Sequence, residues 1–229
     1  MSTEANPSAV YRITDRTPDV ATVILDGRIL SVVTQWVTDT SGGRDRGPRG
    51  IARAWIEVMV RPRRFFRSGV APGDQAPGLI FAMIVVFFAS LVHLALADPD
   101  LPVVGTDPTL STVLVLGLVV LLLTPLTLHL LSALQTLLLI PFARERGGIS
   151  ETVQVLAYAT APCVFAGVPI PEVRVICTGY AALLLAVGIA ERHDVSIGRA
   201  LALSMVPAAL AFGYGFGGFD ALATVLSFV

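Results

Sequence analysis

Between residues 78 and 97 the chain runs for twenty residues without a charged side chain. A helix needs about 20 apolar residues to cross ~30 Å of hydrocarbon, and in lipid each backbone N–H and C=O must be bonded within its own element. Such a stretch has few folding options beyond a lipid-crossing helix. Four more follow, at 110–140, 152–168, 173–190 and 197–219, with the only charges inside them, Arg174 and Arg199, near an end. Charged residues are 14% of the 229, against about 25% in soluble domains, and they cluster between these stretches. That distribution excludes a soluble globular enzyme, a disordered chain, a secreted disulfide scaffold and a nucleic-acid binder. The fold class it predicts is all-α: a polytopic membrane helix bundle of five transmembrane helices.

Charge placement sets the expected topology. There is no Lys; all 16 basic residues are Arg. With a cytoplasmic N-terminus and a single crossing by 110–140, eleven Arg before residue 77 lie inside, as do Arg144, Arg146, Arg192 and Arg199. Only Arg174 lies outside. This is the bias the positive-inside rule demands. Splitting 110–140 into two crossings would send Arg144 and Arg146 outside, so the stretch is read as one long helix. Pro125 invites a kink in it, and the Thr124 hydroxyl is placed to satisfy a freed carbonyl. The expected location is the cytoplasmic (cell) membrane, with the C-terminus outside. After residue 213 two readings stay open: a fifth span reaching 219, or a loop at 213–220 followed by a short interfacial segment.

Ahead of the membrane region, residues 1–50 form a polar tail and linker. Asp26-Gly27 is a good type I′ pair flanked by β-branched residues, so 21–33 fits a hairpin as well as a flexible tail. Residues 38–50 read as linker. Over 51–76, Arg53, Glu57 and Arg61 recur every four residues opposite Ile51, Trp55, Ile56, Val58, Met59 and Val60. This pattern predicts an interfacial helix with Trp55 at headgroup level, ended by Pro62. Arg63, Arg64, Phe65, Phe66 and Arg67 then set three cations and two rings before the first span. They are a candidate interaction surface for anionic headgroups, at roughly 1 kcal/mol per cation. The plainer role, holding this end in the cytoplasm, is compatible with that.

No catalytic, cofactor or metal site is expected. No acidic residue lies deep in a span, as an ion or proton path would require. His93, His129 and His193 lack ligand spacing. Gly213-x-Gly215-x-Gly217 follows a span, not a strand, and is no nucleotide loop. His129, Gln135 and Tyr158 are a candidate intramembrane polar seam, or else simple interhelical bonds. Small residues four apart (Ala159, Cys163, Gly167; Ala182, Ala186, Ala190; Ala200, Ser204, Ala208; Ala209, Gly213, Gly217) predict close helix packing. Cys163 and Cys177 fall at similar depth on adjacent helices, as packing residues in preference to a disulfide.

Three stretches carry a family resemblance. Trp55 to Phe66 (WIEVMVRPRRFF), then Gly147-Gly148-Ile149-Ser150-Glu151-Thr152 with Val155 to Ala159 and Ala161-Pro162, then Gly188 to His193 with Ser196, Arg199 and Ala200, resemble the Yip-domain membrane proteins over about 51–215. Residues 1–33 lie outside the resemblance. It implies a five-span domain over 77–219 with a cytoplasmic N-terminus. Eukaryotic members are trafficking proteins that bind prenylated Rab GTPases or shape membranes. The Arg-only composition points to a prokaryotic member, to which Rab binding is not carried over. The expected function is therefore non-enzymatic membrane organisation. Expected partners are the bilayer, anionic headgroups, an unidentified membrane or cytoplasmic protein, and a second copy of the chain; no cofactor and no nucleic acid are expected. The alternative is a small permease built on the polar seam.

Overall fold

The computed structural model describes the backbone at residues 22–25, 28–31, 37–39 and 43–44, and the chain with its side chains over 47–97, 107–143 and 147–228. The N-terminal unit holds β1 (Thr22–Leu25) and β2 (Arg28–Ser31), paired antiparallel from Thr22↔Ser31 to Leu25↔Arg28. In the larger unit, β3 (Val37–Asp39) pairs with β4 (Gly43–Arg44), within the stretch read as linker. The Arg144 and Arg146 of the topology count lie outside the described residues.

Two short helices precede the bundle. α1 (Pro48–Val60) and α2 (Pro62–Gly69) each begin with proline, whose missing N–H costs nothing at the first helical position. The break between them falls at Arg61, immediately before Pro62. α1 buries Gly50, Ala54 and Val58, one face at a spacing of four; α2 buries Phe65 and Phe66.

Among the described residues, four helices are long and apolar enough to cross a membrane: Ala76–Ala97, Pro108–Leu139, Pro171–Arg192 and Ile197–Gly215. The first is α3 (Ala76–Ala97). The second is one continuous rod, as the Arg distribution required, made of α4 (Pro108–Leu118), a π-helical turn (Val119–Leu123) and α5 (Thr124–Leu139). Asp107 caps it, its Oδ1 accepting from the Thr109 N–H at 2.8 Å. The wide turn sits just ahead of Pro125, and the Thr124 hydroxyl donates to the Val119 carbonyl at 2.8 Å. The Val119 carbonyl also accepts from the Thr124 N–H, so the hydroxyl adds a second bond across the wide turn and does not replace the donor that Pro125 lacks. The third is α7 (Pro171–Arg192). The last joins α8 (Ile197–Ala208) to a π-helical segment (Ala209–Gly215) that follows Pro207.

The expected span at 152–168 takes another form. It consists of α6 (Ile149–Ala159) and a 3-10 turn (Ala161–Phe165), and every residue from Glu151 to Cys163 is buried. Pro162 prevents a continuous α-helix. Because protein, not lipid, surrounds this element, it tolerates polar side chains that find partners. Gln154 donates to the Ala71 carbonyl at 2.6 Å and accepts from the Ala71 N–H at 3.2 Å. Thr160 donates to the Ala157 carbonyl at 2.7 Å.

α6 and α7 form an antiparallel hairpin. Thr152 at the start of α6 meets His193 just past the end of α7. At the other end, the Arg174 Nε donates to the Ala166 carbonyl at 2.9 Å. α3 runs parallel to α6, with Gly78 against Gln154, Phe81 against Tyr158 and Ala89 against Gly167. The C-terminal stretch is no loop: Gly217 takes φ +69 and turns the chain into α9 (Gly218–Leu226), which packs on α7 with Gly218 against Thr178.

Candidate functional site

Two features stand out, one at each end of the α6–α7 hairpin. The first is a charged latch. At its centre Glu151 pairs with Arg192, with side chains 8% and 19% exposed. Glu151 also accepts from the Gly148 N–H at 2.7 Å, satisfying one of the free donors that open α6. The next residue along each strand of the hairpin repeats the pairing: the Thr152 hydroxyl lies 3.2 Å from His193 Nε2, and His193 is buried. α2 lies across this junction. Arg192 Nη1 donates to the Arg67 carbonyl at 3.3 Å, Arg67 Nε donates to Glu191 at 2.6 Å, and Arg63 lies 3.8 Å from Glu191. Phe66 seats against Gly188, while Phe65 packs edge-on to Tyr158 with centroids 4.8 Å apart. α1 is held further along. Trp55 Nε1 donates to the Ala161 carbonyl at 2.8 Å and its ring meets Phe165; Tyr180 donates to the Met59 carbonyl at 2.5 Å.

The second feature is a cavity of about 510 Å³ at the far end of the hairpin. α3, the π-helical turn, α5, α6 and the second π-helical segment wall it. Most of the wall is apolar, including Val86, Leu128, Leu131 and Leu156. Arg174, His93 and Tyr214 lie toward one end, and Ser90, Thr124, Thr127 and Thr160 add hydroxyls along the wall. His93 Nδ1 is buried without a hydrogen-bond partner. Wide helical turns are rare and frequently mark functional sites; here both border the same space.

A family model for the Yip1 domain matches residues 56–219. The chain belongs to the Yip1 domain family. No curated protein and no solved structure matches it. The membership fits a multi-pass membrane protein with apolar helices, and nothing in the family points to catalysis. The latch also gives the resemblance a physical meaning. Its three stretches, separate in sequence, meet at one junction: Phe66 from the first, with Arg67 just after it, Glu151, Thr152 and Val155 from the second, Gly188, Glu191, Arg192 and His193 from the third.

The residues read from sequence as a surface divide in this Yip1 domain. Arg53, Arg63, Arg64 and Arg67 are exposed. Phe65 and Phe66 are buried, at 1% and 0%, so the rings anchor α2 to the protein instead of facing headgroups. Trp55 likewise spends its N–H on a backbone carbonyl. The three seam residues do not converge. Tyr158 lies between Phe65 and Phe81. Gln135 is buried and donates to the Leu203 carbonyl at 3.3 Å. His129 is exposed, with Nδ1 2.7 Å from the Pro125 carbonyl and Nε2 3.1 Å from Gln75 Oε1. None of the three lines the cavity. Both cysteines are buried and free. Sequence reasoning missed the cavity. Its signals were present in Arg174, His93 and a second mid-span proline, Pro207, but no spacing rule connects residues on α3, α7 and α8.

Proposed function

We propose that this Yip1-domain protein is a non-catalytic membrane organiser that gathers anionic lipid headgroups at its cytoplasmic face. The supporting observation is the posture of α2. Its apolar face is locked to the bundle through Phe65 and Phe66, while Arg63 and Arg67 keep side chains 68% and 63% exposed. Fixing the helix turns mobile cations into an arrayed surface, and each cation near an anionic leaflet contributes ~1 kcal/mol. Glu191 offsets part of that charge; Arg61 and Arg64 are exposed as well and add to it. In this reading the N-terminus is cytoplasmic, and the buried α6 with its 3-10 turn makes a fifth crossing within the protein. The antiparallel hairpin with α7 supports that count.

Charge reversal tests the function. In nanodiscs of mixed phosphatidylglycerol and phosphatidylcholine, Arg63→Glu with Arg64→Glu should lower the number of phosphatidylglycerol molecules retained in native mass spectra. Unchanged retention, together with unchanged localisation in cells, refutes the reading. Reporter fusions at both termini test the topology and should light up in opposite compartments. The permease alternative has less support, since His129, Gln135 and Tyr158 share no continuous path.

A further inference from the structure

We infer that the cavity at the Arg174 end is a binding site for one anionic phospholipid, with its acyl chain inside and its phosphate at Arg174. Four observations carry this.

The cavity has the dimensions of one leaflet. Its wall on α3 runs from Ala82 to His93, about 16 Å of helix, close to half of the ~30 Å hydrocarbon core. Its volume of about 510 Å³ lies within the range of sites that take a discrete small ligand.

Its mouth opens onto lipid. The rim residues Leu123 and Tyr214 are 43% and 73% exposed, and Leu121, Leu122, Leu126 and Leu210 beside them are exposed as well. An occupant therefore arrives sideways from the bilayer, which selects for amphiphiles over water-soluble solutes.

Its polarity is graded along that length. Leu128, Leu131 and Leu156 make the deep part apolar, while Arg174, His93 and Tyr214 lie toward the other end. That arrangement matches a molecule with one charged head and a hydrocarbon tail.

Finally, the charge is uncompensated. Among the described residues Arg174 makes no ion pair. Its Nε is used by the Ala166 carbonyl, which fixes the guanidinium at the mouth. A half-buried guanidinium at the edge of hydrocarbon, with only its Nε bonded to a carbonyl, is stabilised by an anion, and phosphate suits its planar donor fork. His93 Nδ1, buried and unbonded, adds a further polar atom on the same wall.

This site lies at the opposite end of the hairpin from the latch and does not depend on which compartment either end faces. The test uses the full-length protein in nanodiscs with a phosphatidylglycerol probe bearing a photoreactive diazirine in its acyl chain, followed by mass-spectrometric mapping of the labelled residues. Labelling is expected at Leu128, Leu131 and Leu156 on the cavity wall. Arg174→Gln should weaken it roughly tenfold, the scale of one charge-assisted hydrogen bond. Val86→Phe, which fills the space without touching Arg174, should abolish it while phosphate-independent labelling of the outer helix faces persists. A phosphatidylcholine probe should label the cavity weakly. Arg63→Glu with Arg64→Glu should leave cavity labelling intact; losing it there overturns the assignment to this cavity. Labelling spread over the exposed faces of α4 and α8, and indifferent to Arg174→Gln and Val86→Phe, means annular lipid only and overturns the proposal. So does equal labelling by both headgroups, or competition by a free fatty acid stronger than by phosphatidylglycerol.

Discussion

Gly188 and Gly179 lie on the same helix, and the structure predicts opposite signs for the same substitution. A Cβ at Gly188 would sit 2.5 Å from Val155 Cγ1 and 3.1 Å from two ring carbons of Phe66. Optimal carbon contacts lie near 3.5–4.0 Å, so a neighbour must move by about 1 Å. Overpacking of this kind costs typically 1–3 kcal/mol. Replacing a helical glycine by alanine contributes about 1 kcal/mol in the other direction, leaving Gly188→Ala destabilising by roughly 0–2 kcal/mol. At Gly179 nothing lies within 4 Å, so only the helix gain of about 1 kcal/mol remains. The two variants should differ by about 1–3 kcal/mol, which at roughly 2–4 °C per kcal/mol for a chain of this size is a Tm gap of about 2–12 °C. The assay is thermal unfolding of purified protein in detergent. Val155→Ala in the Gly188→Ala background should recover part of the loss, with a non-additivity of at least about 0.5 kcal/mol for groups in contact. Displacing Phe66 should also loosen α2 and quicken tryptic cleavage after Arg64 and Arg67. If Gly188→Ala raises Tm as much as Gly179→Ala, or is strictly additive with Val155→Ala, the close seating of α7 on α6 and α2 is wrong.

Three further outcomes follow from other contacts. Glu151→Gln should cost about 3 kcal/mol, because it leaves the partly buried Arg192 without its charge partner, whereas Glu151→Leu with Arg192→Met should cost less than either single change; Tm values of the set decide this. Gly167→Ala should be the most damaging small substitution in the chain, since its Cβ would land on the Ala89 backbone carbonyl and neither backbone can yield cheaply; loss of monodisperse protein on size-exclusion is the readout, and a well-behaved variant sinks the close α3 contact. Trp55→Phe should cost about 1 kcal/mol by removing the hydrogen bond to Ala161 while keeping a ring beside Phe165, seen as a lower Tm.

The apolar stretches and the arginines between them settle much of this protein without any tertiary information. The solvent of the bilayer leaves uncharged runs such as 78–97 only a helix to form, and the topological bias kept 110–140 as one rod. One local detail was legible in part: Pro125 announces a break in regular α geometry, which the structure takes as the wide turn at Val119–Leu123, but the Thr124 hydroxyl bonds Val119, a carbonyl its own N–H already reaches. Elsewhere composition alone misled. Phe65, Phe66 and Trp55 read as membrane-surface aromatics because an amphipathic helix looks the same whether its apolar face meets lipid or protein. The choice fell to Gly188, whose missing side chain opens the seat for Phe66. α6 shows the same ambiguity in reverse: a stretch that reads as a short span is enclosed by its neighbours, so its polar residues bond inward. The latch, the setting of Arg174 and the cavity belong wholly to the tertiary structure. They join residues from five or more elements, and hydrophobic periodicity reports only which face of a helix is apolar, never which other helix comes to cover it.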